Sequence, residues 1–153
     1  LKLHGIDTAI ETCGCADGPA FLRIAELADH ILFDVKHADS RQHIRLTGAG
    51  NEPILANLRA LVRTHADVTV RYPVVPGCND GDADVEALAA LLSSLPRVPP
   101  LELVPYHRLG EHKYRLLGRE YALAGTVSVD TEGVERLCES LRTMGLSCSA
   151  LSH

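Results

Sequence analysis

Apolar spacing in this chain switches repeatedly between two periods. Short runs in which every second residue, or every residue, is apolar alternate with longer stretches where apolar residues recur every three or four positions. The first pattern suits a buried strand and the second an amphipathic helix. Strands separated by helices cannot pair as tight hairpins. They run parallel, joined by right-handed crossovers, and form an α/β sheet.

The pattern predicts strands at residues 7–12, 31–36, 68–75, 101–107 and 146–151. Helices are expected at 20–28, with Asp17 as cap and Phe21, Ile24, Ala25 and Ala28 on one stripe, and at 41–46, ended by Thr47 and Gly48. Another starts at Asn51-Glu52-Pro53, where a cap residue precedes an acid and an early proline, with Ile54, Leu55, Leu58, Leu61 and Val62 apolar. Further helices are expected at 82–95, near 111–117, and after Asp130, the last closed by Gly145. This gives four βα units and a trailing strand. A full eight-unit barrel needs roughly 250 residues, so a chain of 153 makes part of a barrel or a small open sheet.

Composition narrows the function classes. Aromatic residues are only 4% and Trp is absent, so aliphatic side chains must supply the core. A formal net charge of −5 argues against a general nucleic-acid binder, though not against a local basic pocket. No apolar run is long enough to span a bilayer as a helix. Five cysteines, an odd number, favour a reducing, cytoplasmic setting over a disulfide framework. The chain begins at Leu1, close to a strand, and reads as a piece of something longer.

The chemistry-bearing residues fall late in the strands. The first ends in Glu11 and Thr12, the second in Asp34 and Lys36, the third carries Arg71 ahead of Pro73, and the fourth ends at His107. Parallel α/β folds keep their sites at that edge. Mixed carboxylate, ammonium, guanidinium and imidazole groups on one rim suit a zwitterionic or phosphorylated small ligand. Bland readings stand beside this one. Asp34 and Lys36 serve equally well as a structural ion pair, Arg71 as a salt-bridged arginine and His107 as a turn residue. Cys13-Gly14-Cys15 lacks the further ligands of a zinc site and reads as a loop, and Cys138 as core.

Several stretches resemble the glycyl-radical enzyme activating enzymes. They are residues 7–14 (Asp-Thr-Ala-Ile-Glu-Thr-Cys-Gly), 33–37 (Phe-Asp-Val-Lys-His), 71–77 (Arg-Tyr-Pro-Val-Val-Pro-Gly) with Asn79 and Asp80, and above all 104–114, Val-Pro-Tyr-His-Arg-Leu-Gly-Glu-His-Lys-Tyr, with 117–121. The resemblance runs in order over nearly the whole chain. It implies a radical S-adenosylmethionine (SAM) enzyme on a partial (βα)6 barrel of TIM type, here as its C-terminal four βα units plus a last strand. It implies a [4Fe-4S] cluster that cleaves SAM reductively, giving a deoxyadenosyl radical that takes hydrogen from a glycine of a partner glycyl-radical enzyme. An electron donor such as flavodoxin or ferredoxin goes with that chemistry; nucleic acid and membrane do not. By the same resemblance Asp34, Lys36, Arg71, Pro73, Val104 and His107 would border SAM. Glu11, Thr12 and Asp34 would hold a monovalent cation.

The family's Cys-x-x-x-Cys-x-x-Cys motif and its Gly-Gly-Glu stretch are not found among the 153 residues. The expectation is that both lie upstream of Leu1, and that this chain alone does not cleave SAM and carries no catalytic residue of its own. Two other readings remain at this stage. One is an aldolase-like enzyme using Lys36 as a Schiff-base nucleophile. The other is an α/β module that only binds a ligand or partner.

Overall fold

The computed structural model describes residues 1–127 and 129–151, with the side chains of Lys2 and Leu109 left aside. Five strands form one wholly parallel sheet in the order of the chain: β1 (Ala9–Thr12), β2 (His30–Asp34), β3 (Val68–Val74), β4 (Leu101–Pro105) and β5 (Cys148–Ala150). Among the described residues, six α-helices intervene: α1 (Gly18–Ala25), α2 (Ser40–Thr47), α3 (Glu52–Thr64), α4 (Asp82–Ser93), α5 (Glu111–Leu116) and α6 (Thr131–Thr143). The alternation expected from the apolar periods is thus the alternation observed.

One face of the sheet makes the core. Ile31 and Phe33 of β2 with Val35 beyond it, Val68, Val70, Tyr72 and Val74 of β3, and Leu101 and Leu103 of β4 are all buried there. They pack on Phe21 and Ala25 of α1, Leu58 and Leu61 of α3, Leu88 and Leu92 of α4, and Val134, Cys138 and Leu141 of α6. Cys138 is a core residue, as its place on the helix stripe predicts. Its Sγ lies 3.0 Å from that of Cys148, and burial pushes both thiols up from their ordinary pKa.

The opposite face is uncovered. Leu32, Asp34, Lys36, Thr69, Arg71, Pro73, Glu102 and Val104 are all only partly buried. Strand register aligns them: Asp34 lies beside Arg71, Arg71 beside Glu102, and Pro73 beside Val104. A parallel sheet with helices against one face leaves its other face for polar side chains, which the strict alternation of β2 and β3 supplies.

Local expectations hold unevenly. Asp17 and Asp130 cap α1 and α6 as read, accepting from the amides of Ala20 and Gly133. Gly48 and Gly145 close helices α2 and α6 with positive φ. Asn51 precedes α3 but does not cap it; its amide is engaged elsewhere. Helix α1 stops at Ala25, and Ile24, expected on the buried stripe, is 57% exposed. Every strand is shorter than its apolar run. Lys36 and His107 therefore lie in loops just past β2 and β4 rather than within them. Among the described residues, no helix is long and apolar enough to cross a membrane.

Candidate active site

The C-terminal ends of β1 to β4 lie side by side, because sequential parallel strands all run the same way. Asp34, Lys36, Arg71, Pro73 and Val104 share the uncovered face there, while Thr12 lies on the other. Past β2, Lys36 Nζ donates to Asp34 Oδ2 at 2.7 Å. The two are held two residues apart on the uncovered face, Asp34 19% and Lys36 37% exposed at the side chain.

Arg71 stands at the middle of that face. Its Nη1 meets Glu11 Oε1 at 3.0 Å, reaching past β2 to β1. Its Nε lies 3.1 Å from Glu102 Oε2, close enough for charge attraction but without hydrogen-bond alignment. The salt-bridged reading of Arg71 is therefore correct as a description, and Glu102 is a partner that sequence reading missed. Glu102 alternates with buried Leu101 and Leu103 on β4, and it becomes visible as a partner only once the β3–β4 register is known.

Beside Lys36 is a cleft of about 380 Å³. Its walls are mostly apolar, from Leu46, Pro73, Val75 and Leu123, with Lys36 and Arg45 as its cations. Of the sequence-predicted residues, Lys36 and Pro73 line it directly. Val104 sits next to Pro73 in register, and Asp34 reaches the cleft through Lys36. His107 is exposed at the start of a short turn, Arg108–Gly110, past β4. Arg45, Leu46 and Leu123 come from α2 and from the loop after α5, and no strand-end argument would have found them.

Glu11, Thr12 and Asp34 do not come together as an ion site. Glu11 and Asp34 share the uncovered face but are engaged by Arg71 and Lys36. Thr12 is in register with Phe33 and belongs to the other face, where its Oγ1 accepts from the Gly14 amide at 3.0 Å. Nor do the five cysteines gather: among the described residues, no three His, Cys, Asp or Glu side chains are grouped to hold a metal.

A backbone feature fixes the exit of β1. Gly14 has φ +65°, and a Cβ added there would run into the ring of Phe33, so a side chain would meet both strain and that ring.

Comparison with known proteins bears on these readings. The chain is 37% identical over 155 aligned residues to the choline trimethylamine-lyase activating enzyme of Oleidesulfovibrio alaskensis, covering 99% of this chain and 50% of that one. It is 42% identical to the isethionate sulfite-lyase activating enzyme of Nitratidesulfovibrio vulgaris, over 86% of this chain and 43% of that one. The pyruvate formate-lyase-activating enzyme of Staphylococcus epidermidis matches at 41%, over 88% and 56%. This chain is homologous to the glycyl-radical enzyme activating enzymes.

The relatives favour neither the Lys36 aldolase reading nor that of a binding module alone. The chain spans about half the length of the curated activating enzymes it matches. No family model matches it. Among solved structures, a domain of the pyruvate-formate lyase-activating enzyme from Bacteroides vulgatus superposes with a TM-score of 0.79 at 24% identity, covering 99% of this chain and 84% of that one. A radical SAM methyltransferase from Sphaerobacter thermophilus gives 0.71 at 20%, over 97% and 42%. Both share the α/β fold with this activating-enzyme homologue.

Proposed function

We propose that this chain forms the SAM-facing part of a glycyl-radical enzyme activating enzyme, and that its five strands are part of a partial (βα)6 barrel whose interior is the uncovered face. The observation that carries the reading is the cleft beside Lys36. It combines an ammonium, the neighbouring Asp34 carboxylate and apolar walls at one strand edge. A zwitterionic amino-acid end joined to a nucleoside asks for that combination.

Lys36 would meet the ligand carboxylate and Asp34 would orient Lys36. Pro73 and Val104 would border the nucleoside, and Arg71, held by Glu11 and Glu102, would set the charge of the face beside it. His107 would close the rim from β4. When bound and reduced, SAM supplies a deoxyadenosyl radical, the species that takes hydrogen from a glycine of a partner glycyl-radical enzyme. An electron donor of flavodoxin or ferredoxin type and a cytoplasmic setting go with this reading.

Among the described residues no three cysteines gather, so they do not fit an iron–sulfur cluster. Thr12 and Asp34 face opposite sides of the sheet and do not suit a shared monovalent cation.

Calorimetric titration of the 153-residue chain with SAM tests the reading. Saturable binding, weakened at least tenfold by Lys36→Met, is expected. A chain that is folded yet binds no SAM refutes it.

A further inference from the structure

Buried polar side chains are costly unless bonded, so what they hold is informative. Those buried among the described residues are His37, His43, Asn51, Asn57 and Asn79. Three of them use their amides in the same way. Asn57 donates to the carbonyls of Gly14 (2.8 Å) and Ala16 (3.0 Å), in the loop leaving β1. Asn51 donates to the carbonyls of His37 (2.9 Å) and Ala38 (3.0 Å), in the loop leaving β2. Asn79 donates to the carbonyls of Lys36 (3.2 Å) and Pro73 (2.7 Å), joining the exits of β2 and β3.

Each Nδ2 thus engages two carbonyls. That settles the amide orientation, because an amide oxygen could not face two acceptors. Asn79 is held in turn: its Oδ1 accepts from the Val75 amide at 2.7 Å, and its carbonyl accepts from the Tyr72 hydroxyl at 3.0 Å. His37 adds a further tie. Its Nδ1 accepts from the Asp39 amide at 3.0 Å, so Nε2 carries the hydrogen and donates to Asp84 Oδ1 at 3.1 Å.

Loop carbonyls past a strand end have no ladder partner and ordinarily turn to water. Here they, together with the carbonyl of Pro73 at the end of β3, are taken up by buried asparagine side chains at three consecutive strand exits. We propose that Asn51, Asn57 and Asn79 are positioning residues that hold these exits rigid before any ligand arrives, so that Lys36 and Pro73 present a preformed cleft wall. The ligand it serves rests on the SAM reading above; the framework itself does not. Preformed rigidity removes an ordering cost from binding, so its loss appears in affinity as well as in stability.

Asn79→Asp is the sharpest test, because it keeps shape while aiming a carboxylate at two carbonyls. Asn79→Ser gives a second, uncharged variant in case the first fails to fold, and Asn51→Asp examines the β2 exit separately. Thr8→Val removes a hydrogen bond to Asp29 at the opposite ends of the strands and serves as a control for general destabilisation. Native-state hydrogen exchange by peptide mass spectrometry and SAM titration are run on each folded variant.

The expected result is exchange at least tenfold faster in residues 36–39 and 73–75, with β4 unchanged, together with an affinity loss of about tenfold that Thr8→Val does not show. Wild-type exchange in those segments for both Asn79 variants overturns the proposal. So does a rise spread evenly over the sheet, or unchanged affinity despite a loosened rim. A wild-type chain that binds no SAM while the rim still loosens locally keeps the framework and removes the ligand reading.

Discussion

Replacing Asp34 and Lys36 singly and together separates a ligand-binding pair from a structural one. At 2.7 Å the two charges attract by about 1.5 kcal/mol in bulk water. Fixing a lysine side chain costs about as much in rotamer entropy. With Lys36 more than a third exposed, the pair should therefore contribute no more than about 1 kcal/mol to folding. A charge-assisted bond to a ligand carboxylate contributes about 1.5–3 kcal/mol, or about 10- to 150-fold in affinity. Denaturant unfolding of Asp34→Asn, Lys36→Met and the double variant measures the coupling in stability, and SAM titration of the same proteins measures it in binding. The expected outcome is a small stability coupling beside a large affinity loss. A coupling above about 3 kcal/mol, of the size found on breaking a buried pair, with affinity left intact would refute the functional assignment.

Gly14→Ala should destabilise the fold by about 2–5 kcal/mol, summing left-handed strain and overpacking against Phe33; an unfolding midpoint within error of the wild type would contradict that. Glu52 is held below the usual glutamate pKa by the Ser40 hydroxyl, donating at 2.6 Å, and then by its own backbone amide. A depressed carboxylate stabilises above the unfolded value and loses that contribution as pH falls through the folded one. The stability gap between wild type and Glu52→Gln should accordingly be present at neutral pH and close below about pH 4, and a gap constant from pH 7 to 3 would disprove the linkage. Anaerobic treatment of the 153-residue chain with iron and sulfide, then SAM and dithionite, should yield no deoxyadenosine; its formation would show that the cysteines here assemble a cluster after all.

The sequence was sufficient for the alternating α/β order and for the caps at Asp17 and Asp130. These follow from side-chain periodicity and local hydrogen bonding, which depend on near neighbours along the chain. It also placed Asp34, Lys36, Arg71 and Pro73 on one rim, because parallel strands in chain order bring like ends together. It overextended the strands, since apolar burial continues past their assigned ends: Val35 is still buried, and still donates to the Arg71 carbonyl, one residue beyond β2.

Only the tertiary structure decided the partners. Arg71 lies between Glu11 and Glu102 because β3–β4 register puts Glu102 beside it and its side chain reaches across β2 to β1. Thr12 departs from Glu11 and Asp34 because a one-residue step reverses the face. Asn51 looked like a helix cap and is instead a brace for the β2 exit. An asparagine's sequence neighbours indicate that it can donate, whereas the carbonyls within its reach are set by how the loops fold over one another.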